Sequence, residues 1–335
     1  MVVGEETQTR VSKKTSLEMY WTMLLARKLD ERAWVLHRQG KISFHISGIG
    51  HEAAQVGAAF AMERGVDWLV PYYRDLAMVL AFGLTPKEFA LSLMGKKGEP
   101  SSGARQMPSH WSLRRANVLS HSSPVATQTP HASGIGLAIK MRGDDAVVLT
   151  SIGEGSTSQG EWYEGVNWAA IHQLPVIFLV ENNQYAISVP QPKQMAVSSV
   201  AEKAEGLGLE GISVNGLDVR ETYRIVKEAV DKARRGGGPT VIEAKVNRMT
   251  PHSSDDDDRS YRAREEIEAM KAEDPLEMFR ARLTEENVLS TAIEDELQAR
   301  AKAMVEEAIK FAEQAPYPDV EDASYPVFVE DIRNA

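Results

Sequence analysis

The stretch AVVLTSIGEGSTSQGEWYEGVNWAAIHQLPVIFLVENN, residues 146–183, decides the fold. Its first part, AVVLTSI (146–152), is a short apolar run rich in β-branched residues. SQGEWYEGVNWAAIHQ (158–173) has helical spacing, and LPVIFLVE (174–181) is a second buried run. Strand, helix and strand in this order make a βαβ unit, with parallel strands joined by a right-handed crossover. GISVNGLD (211–218) and TVIEAKVNRM (240–249) read as further strands, with the helix RETYRIVKEAVDKARRG (220–236) between them. The fold class expected is α/β: a mostly parallel sheet with helices on both faces and helical extensions at the N- and C-terminal ends.

Working outward, residues 1–15 read as a solvated tail, and a helix is signalled from Thr15 until Gly40 stops it. GHEAAQVGAAFAM (50–62) reads as a second helix. DWLVPYYRDLAMVLAFG (67–83) gives a short extended piece and a third helix. Gly95 to Pro124 lacks periodicity, and a loop of that length inside a compact domain is usually functional or disordered. From about residue 262 the chain is charged and helical, ending in the short apolar tail YPVFVEDIRNA (325–335). The expected organisation is an N-terminal tail and helical segment (1–60), an α/β core (61–260) and a C-terminal helical segment (261–335), all in one structural domain.

Composition narrows the function. A chain of 335 residues with 43% hydrophobic and 26% charged residues has an ordinary globular make-up. A net charge of −10 offers no global field for nucleic acid or an anionic membrane. With no cysteine, disulfides, thiolate nucleophiles, zinc–cysteine sites and iron–sulfur clusters are excluded. The longest apolar run, LPVIFLV, is too short to span a bilayer, and the N-terminus lacks the apolar core of a signal peptide. A soluble, cytoplasmic protein is expected.

In open α/β sheets, ligands sit outside the carboxyl ends of the strands. Glu154 follows the first strand of the βαβ unit and Asn183 the second, so adjacent parallel strands would bring them together. A carboxylate, an amide oxygen and a loop carbonyl suit a hard cation such as magnesium. Gly155 and Ser156 are expected to open the crossover helix, where free N–H groups and the helix dipole favour a phosphate. Gly-X-Gly and Asn-Asn are also ordinary turn sequences. Their joint placement at one sheet edge favours a metal-bridged diphosphate site.

GEGSTSQG…VENNQYAIS resembles the thiamine diphosphate motif, Gly-Asp/Glu-Gly followed downstream by Asn-Asn. YYRDLAMVLAFG, GARQMPSHW, SSPVATQTPHASGIGLA and MTPHSSDDDDRSYR resemble, in the same order, segments of the alpha subunit of 2-oxo acid dehydrogenases, the decarboxylating component of acyl-transferring complexes. Within that family the likeness is to the branched-chain enzymes, which carry Glu in Gly-X-Gly, YAIS after Asn-Asn and an aspartate-rich loop. Pyruvate and acetoin enzymes more often read Gly-Asp-Gly.

The resemblance implies thiamine diphosphate and Mg2+ as cofactors. Glu154, Asn183 and the Tyr185 carbonyl would bind magnesium, and Tyr73, Arg74, Ser123, Gly155, Ser156 and His252 would contact the cofactor. His252 would be the catalytic histidine of a mobile loop. Ser122, Pro124, Thr127 and Gln128 would surround a structural K+ ion, as in some relatives. Glu181 departs from relatives that place a diphosphate-binding arginine before Asn-Asn. Because the glutamate that contacts the aminopyrimidine has no counterpart here, the resemblance implies a separate beta subunit in an α2β2 heterotetramer. The lipoyl and subunit-binding domains of a dihydrolipoyl acyltransferase are the further partners implied. The acidic run 255–258 reads as a solvated face, on a loop disordered when empty and ordered by cofactor or partner.

Other residues carry alternatives. His37, His45, His51, His110, His121, His131 and His172 show no metal-ligand spacing. Of these, His131 is a candidate to face the cofactor, and Phe44 and His45 to line the acyl pocket. Trp162, Tyr163 and Trp168 read as helix-to-sheet packing. The rival readings are a pyruvate or acetoin dehydrogenase alpha subunit, a nucleotide-dependent oxidoreductase using the glycines of HASGIGLAIK (131–140), and a scaffold with an acidic docking patch.

Overall fold

The structure, a computed structural model, describes residues 11–324; residues 1–10 and the YPVFVEDIRNA tail lie outside them. Five strands form a wholly parallel sheet in the order β1-β2-β3-β7-β6. They are β1 (Trp68–Val70), β2 (Val148–Gly153), β3 (Val176–Asn182), β6 (Glu210–Asn215) and β7 (Thr240–Lys245). A small antiparallel hairpin, β4 (Tyr185–Ala186) and β5 (Val189–Pro190), stands outside the sheet.

The pleat explains the continuous apolar runs. Leu149, Ile177, Leu179 and Ile242 enter one core cluster, whereas their neighbours Val148, Val176, Phe178 and Val241 enter another on the opposite face. A strand buried on both sides is apolar at most positions, with β-branched residues favoured. The first cluster is completed by α1 (Lys13–Arg38), α2 (Glu52–Phe60), α3 (Leu76–Ala81) and α4 (Pro86–Leu93). From further along the chain come α8 (Val219–Arg234), α10 (Pro275–Glu285) and α11 (Thr291–Gln314). The second is covered by α5 (Gln128–Arg142), α6 (Gly160–His172) and α7 (Val200–Glu205). The first cluster runs from Met19 on α1 to Ala312 on α11, joining the terminal helices to the sheet core.

Several elements differ from the sequence expectations. Helix α1 starts at Lys13, two residues before Thr15, because the Ser12 hydroxyl accepts from the Thr15 N–H and caps it, worth about 1 kcal/mol. The charged stretch after 262 breaks into α9 (Arg264–Ala272) and α10, since Pro275 is acceptable only in the first turn of a new helix. GIGLA (134–138) lies inside α5, where a Cβ on Gly136 would come within 2.7 Å of Val176. Gly136 serves helix–strand packing while Gly134 is exposed, and the dinucleotide-loop reading falls. Trp162 is fully buried, but Tyr163 and Trp168 face outward on α6, so only the first packs against the sheet. Among the described residues, no helix is long and apolar enough to cross a membrane.

Candidate active site

Four adjacent strands deliver side chains to one cavity of about 430 Å³ at their carboxyl ends. The chain leaving β1 brings Tyr73 and Arg74; β2 brings Glu154, Gly155 and Ser156; β3 brings Asn183 and Tyr185; β7 leads to His252. Ser123, from the long loop before α5, also lines the cavity. The parallel register makes this convergence unavoidable, because every carboxyl end lies on the same edge of the sheet.

Glu154 is 1% exposed. Its Oε2 accepts only a long hydrogen bond from the Asn183 N–H, 3.3 Å, and its Oε1 accepts from Gln194 Nε2 at 3.2 Å. Burial raises the carboxyl pKa, against the smaller opposing pull of the Gln194 and backbone hydrogen bonds. Asn183 Oδ1 accepts from the Tyr185 N–H at 3.2 Å. Among the described residues, no three His, Asp or Glu side chains are set to hold a metal. A cation here would depend on this one under-compensated carboxylate, neutral oxygens and oxygens of its ligand. That donor set fits magnesium carried by a diphosphate.

The cationic side of the site is unusual in its pairing. Arg74 is 2% exposed and Arg248, just past β7, is fully buried. Among the described residues, neither forms an ion pair with a carboxylate. Arg74 Nη1 donates to the Ser47 carbonyl at 2.5 Å, and its Nη2 lies 3.3 Å from both His252 Nδ1 and the His252 carbonyl. Arg248 donates to the Tyr261 hydroxyl at 2.9 Å and stacks over the rings of Tyr185 and Tyr261. Burial and then the charge of Arg74 depress the Arg248 pKa, the signature of a cation lacking its counter-ion. Burying guanidinium groups without a counter-ion is costly, and a bidentate anion such as a phosphate would offset that cost.

His252 is held electrically neutral. Burial, then Arg74 and Arg248, push its pKa down to about 3, against the opposing charge of Asp256. Because Arg74 donates to Nδ1, the ring proton sits on Nε2. The His252 backbone N–H donates to Asp256 Oδ2 at 2.8 Å, and Tyr261 OH bonds the same carboxylate. Asp258 is buried beside Arg262. The acidic run is therefore partly structural, with Asp256 and Asp258 folding the loop, rather than a uniformly solvated face.

Other sequence-predicted residues divide. Gly155 and Ser156 sit in a short 3-10 turn, Glu154–Ser158, and α6 opens only at Gly160, so they do not form the helix N-terminus. Gly155 is required for packing, since a Cβ there would meet Ala186 Cβ at 2.5 Å. The Ser122 and Thr127 hydroxyls both donate to the Pro124 carbonyl, at 2.9 and 2.8 Å. Gln128 Nε2 donates to the Ser151 carbonyl, leaving Gln128 Oε1 buried without a partner. An orphaned acceptor beside clustered oxygens fits a monovalent cation. Phe44 lines the cavity, but His45 is turned away and bonds Asp30 at 2.9 Å. His131 is exposed on α5, outside the cavity.

Sequence reasoning missed Arg248, hidden in a segment read only as a strand. It also missed the role of Glu181. That residue lies fully buried behind the cavity, accepting from His51, Gln55 and Tyr72. Burial opposes its charge, but His51 holds its pKa below the usual range. Neighbouring Asp75 is pushed well up by burial and by Glu181. His110 was seen but given no role; its Nε2 bonds Ser123 Oγ at 2.7 Å.

Comparison with known proteins agrees with this geometry. A family model described as dehydrogenase E1 component matches residues 20–321. The chain is 52% identical to the 2-oxoisovalerate dehydrogenase subunit alpha of Bacillus subtilis (strain 168), over 93% of this chain and 95% of that protein. It is 36% identical to the 3-methyl-2-oxobutanoate dehydrogenase subunit alpha of Mycobacterium tuberculosis (strain CDC 1551 / Oshkosh), over 93% of this chain and 82% of the relative. Identity to the pyruvate dehydrogenase E1 component subunit alpha of Staphylococcus aureus (strain Mu50 / ATCC 700699) is 37%, over 93% and 82%. With a parallel sheet that gathers an acid, an amide, two unpaired arginines and a histidine at one edge, the chain belongs to the dehydrogenase E1 component family, among its 2-oxo acid dehydrogenase alpha subunits.

Proposed function

We propose that this protein is the alpha subunit of a branched-chain 2-oxo acid dehydrogenase, a thiamine diphosphate- and magnesium-dependent oxidoreductase. The observation that carries the reading is the pairing of a buried, carboxylate-free Arg74 with a buried, cation-seeking Glu154 in one cavity, with a second such arginine, Arg248, behind the lining residue Tyr185. The branched-chain preference rests on the 52% identity to a 2-oxoisovalerate enzyme, against 37% to a pyruvate enzyme.

When bound, thiamine diphosphate supplies the chemistry that releases carbon dioxide from a 2-oxo acid and passes the acyl fragment to a lipoyl group. The chain's own residues bind and orient. Glu154, Asn183 and the Tyr185 carbonyl would hold magnesium; Arg74 and Arg248 would neutralise the diphosphate, with Tyr73, Gly155 and Ser156 beside it. Ser123, whose hydroxyl donates to His110, would present its lone pairs to the cofactor. His252, neutral with its proton on Nε2, can donate a hydrogen bond to a developing oxyanion. Ser122, Pro124, Thr127 and Gln128 would hold potassium, tying the Ser123 loop to α5.

Glu154 is the sole carboxylate among the cavity-lining residues described. The second acid that such a cofactor needs would come from a beta subunit, giving an α2β2 assembly that docks an acyltransferase through its lipoyl and subunit-binding domains. A cytoplasmic location belongs to the same reading.

Calorimetric titration of the assembled subunits with thiamine diphosphate and magnesium tests the proposal. Saturable binding is expected, with faster turnover of 3-methyl-2-oxobutanoate than of pyruvate. No binding would reject the cofactor, and preference for pyruvate would reject the substrate class. His252→Ala should keep cofactor affinity and lose acyl transfer.

A further inference from the structure

Glu181 is a charged residue with no access to solvent and no place in the cavity lining. It is the penultimate residue of β3, two residues before Asn183, and a buried carboxylate there needs a reason, since its desolvation is costly unless hydrogen bonds offset it. Its Oε2 accepts from His51 Nδ1 at 2.9 Å, Tyr72 OH at 3.0 Å and Gln55 Nε2 at 3.1 Å. His51 and Gln55 stand at the head of α2, and Tyr72 follows β1. The three donors therefore come from two elements that have no backbone pairing with β3, because β2 lies between β1 and β3.

Gln55 extends the knot. The same Nε2 also donates to the Arg74 carbonyl at 3.1 Å, while its Oε1 accepts from the Ala77 N–H at 3.2 Å. A Cβ on Gly48 would meet the Arg74 carbonyl at 2.8 Å, so the loop before α2 presses on the same backbone. The segment 72–77 is thus held from behind by side chains, and it carries Tyr73 and Arg74 into the cavity.

We propose that Glu181 is a positioning residue: without touching the ligand, its carboxylate fixes Tyr73 and Arg74 relative to Asn183, setting the span across which a diphosphate is held. The inference rests on the diphosphate reading of the cavity. It adds that the phosphate-binding and metal-binding halves are registered through α2 rather than through the sheet. An apolar residue could fill the space but could not gather three donors to one point. Glutamine could, since its Oε1 accepts as a carboxylate oxygen does.

The test measures magnesium-dependent binding of inorganic pyrophosphate to the assembled protein, together with KM for thiamine diphosphate and kcat at saturation. Glu181→Ala should weaken pyrophosphate binding about tenfold or more, as small misplacements of a binding group do, with kcat changed far less than KM. Glu181→Gln should stay within about threefold of the parent or bind more tightly. If the alanine variant does not fold, Tyr72→Phe, which removes one donor, should weaken binding several-fold and raise KM rather than lower kcat. Parent-like affinity in Glu181→Ala, or in Tyr72→Phe where the alanine variant is lost, overturns the inference. So does equal loss in Glu181→Gln and Glu181→Ala. A parent protein that binds neither pyrophosphate nor thiamine diphosphate would instead overturn the diphosphate reading itself.

Discussion

Acidification from pH 7 to pH 5 should cost the parent protein stability that a His252→Gln variant does not lose. In the native state the His252 pKa is pushed to about 3, from an ordinary value of 6.5, by burial and by Arg74 and Arg248. A depressed histidine stays neutral in the fold while the unfolded chain takes up a proton as pH falls through 6.5. Stability therefore declines with falling pH across the window from 6.5 to about 3, and none of this contribution is lost above it. At about 1.4 kcal/mol per pH unit, the loss between pH 7 and pH 5 is about 2 kcal/mol, a ceiling because the ring is only partly buried. His121, held near 4 by burial, behaves alike in both proteins and cancels. Urea unfolding at pH 7, 6 and 5 gives the comparison, and histidine ring resonances, assigned by difference from the variant, locate the titration. Equal acid loss in both proteins, or a His252 resonance titrating near 6.5, would refute the reasoning. Pyrophosphate should raise the His252 pKa, because it neutralises the two arginines that depress it.

Three further outcomes follow from the geometry. Glu154→Ala should weaken magnesium-dependent thiamine diphosphate binding by about 100-fold, read by calorimetry with and without a chelator; parent-like affinity counts against the metal role. Gly50→Ala should destabilise by more than about 2 kcal/mol in a thermal melt, because φ is +95° and a Cβ would lie 1.9 Å from the Asn247 carbonyl. Ile187 is β-branched, has φ +56° and is 56% exposed while lining the cavity. Ile187→Gly should relieve about 1 kcal/mol of strain, leave the melting temperature unchanged or higher and lower activity; a lower melting temperature would show no strain is stored there.

Much of the fold was legible in residues 146–183 because a strand buried on both faces is apolar over most of its length. Glu154 and Asn183 could be placed together for a topological reason: parallel strands in one βαβ unit end on the same edge. Helix boundaries were less legible. The 3-10 turn Glu154–Ser158 postponed α6 to Gly160, and nothing in Gly-Ser-Thr-Ser distinguishes such a turn from a first helical turn. Tyr163 and Trp168 were misplaced because an aromatic residue at helical spacing does not reveal which face it takes.

The sequence by itself determined the α/β class, the edge on which the site lies and the acid–amide pair, since these depend on local pattern and strand direction. Only the tertiary structure decided which cations meet them. Arg74 and Arg248 are 174 residues apart in the chain, and their lack of carboxylate partners is a fact about burial that no local pattern encodes. The same holds for Glu181, an oddity in sequence that becomes the acceptor joining α2, the β1 exit and β3. Its meaning resides in three donors brought from 51, 55 and 72, and distance in space, rather than in sequence, sets the energy of a buried charge.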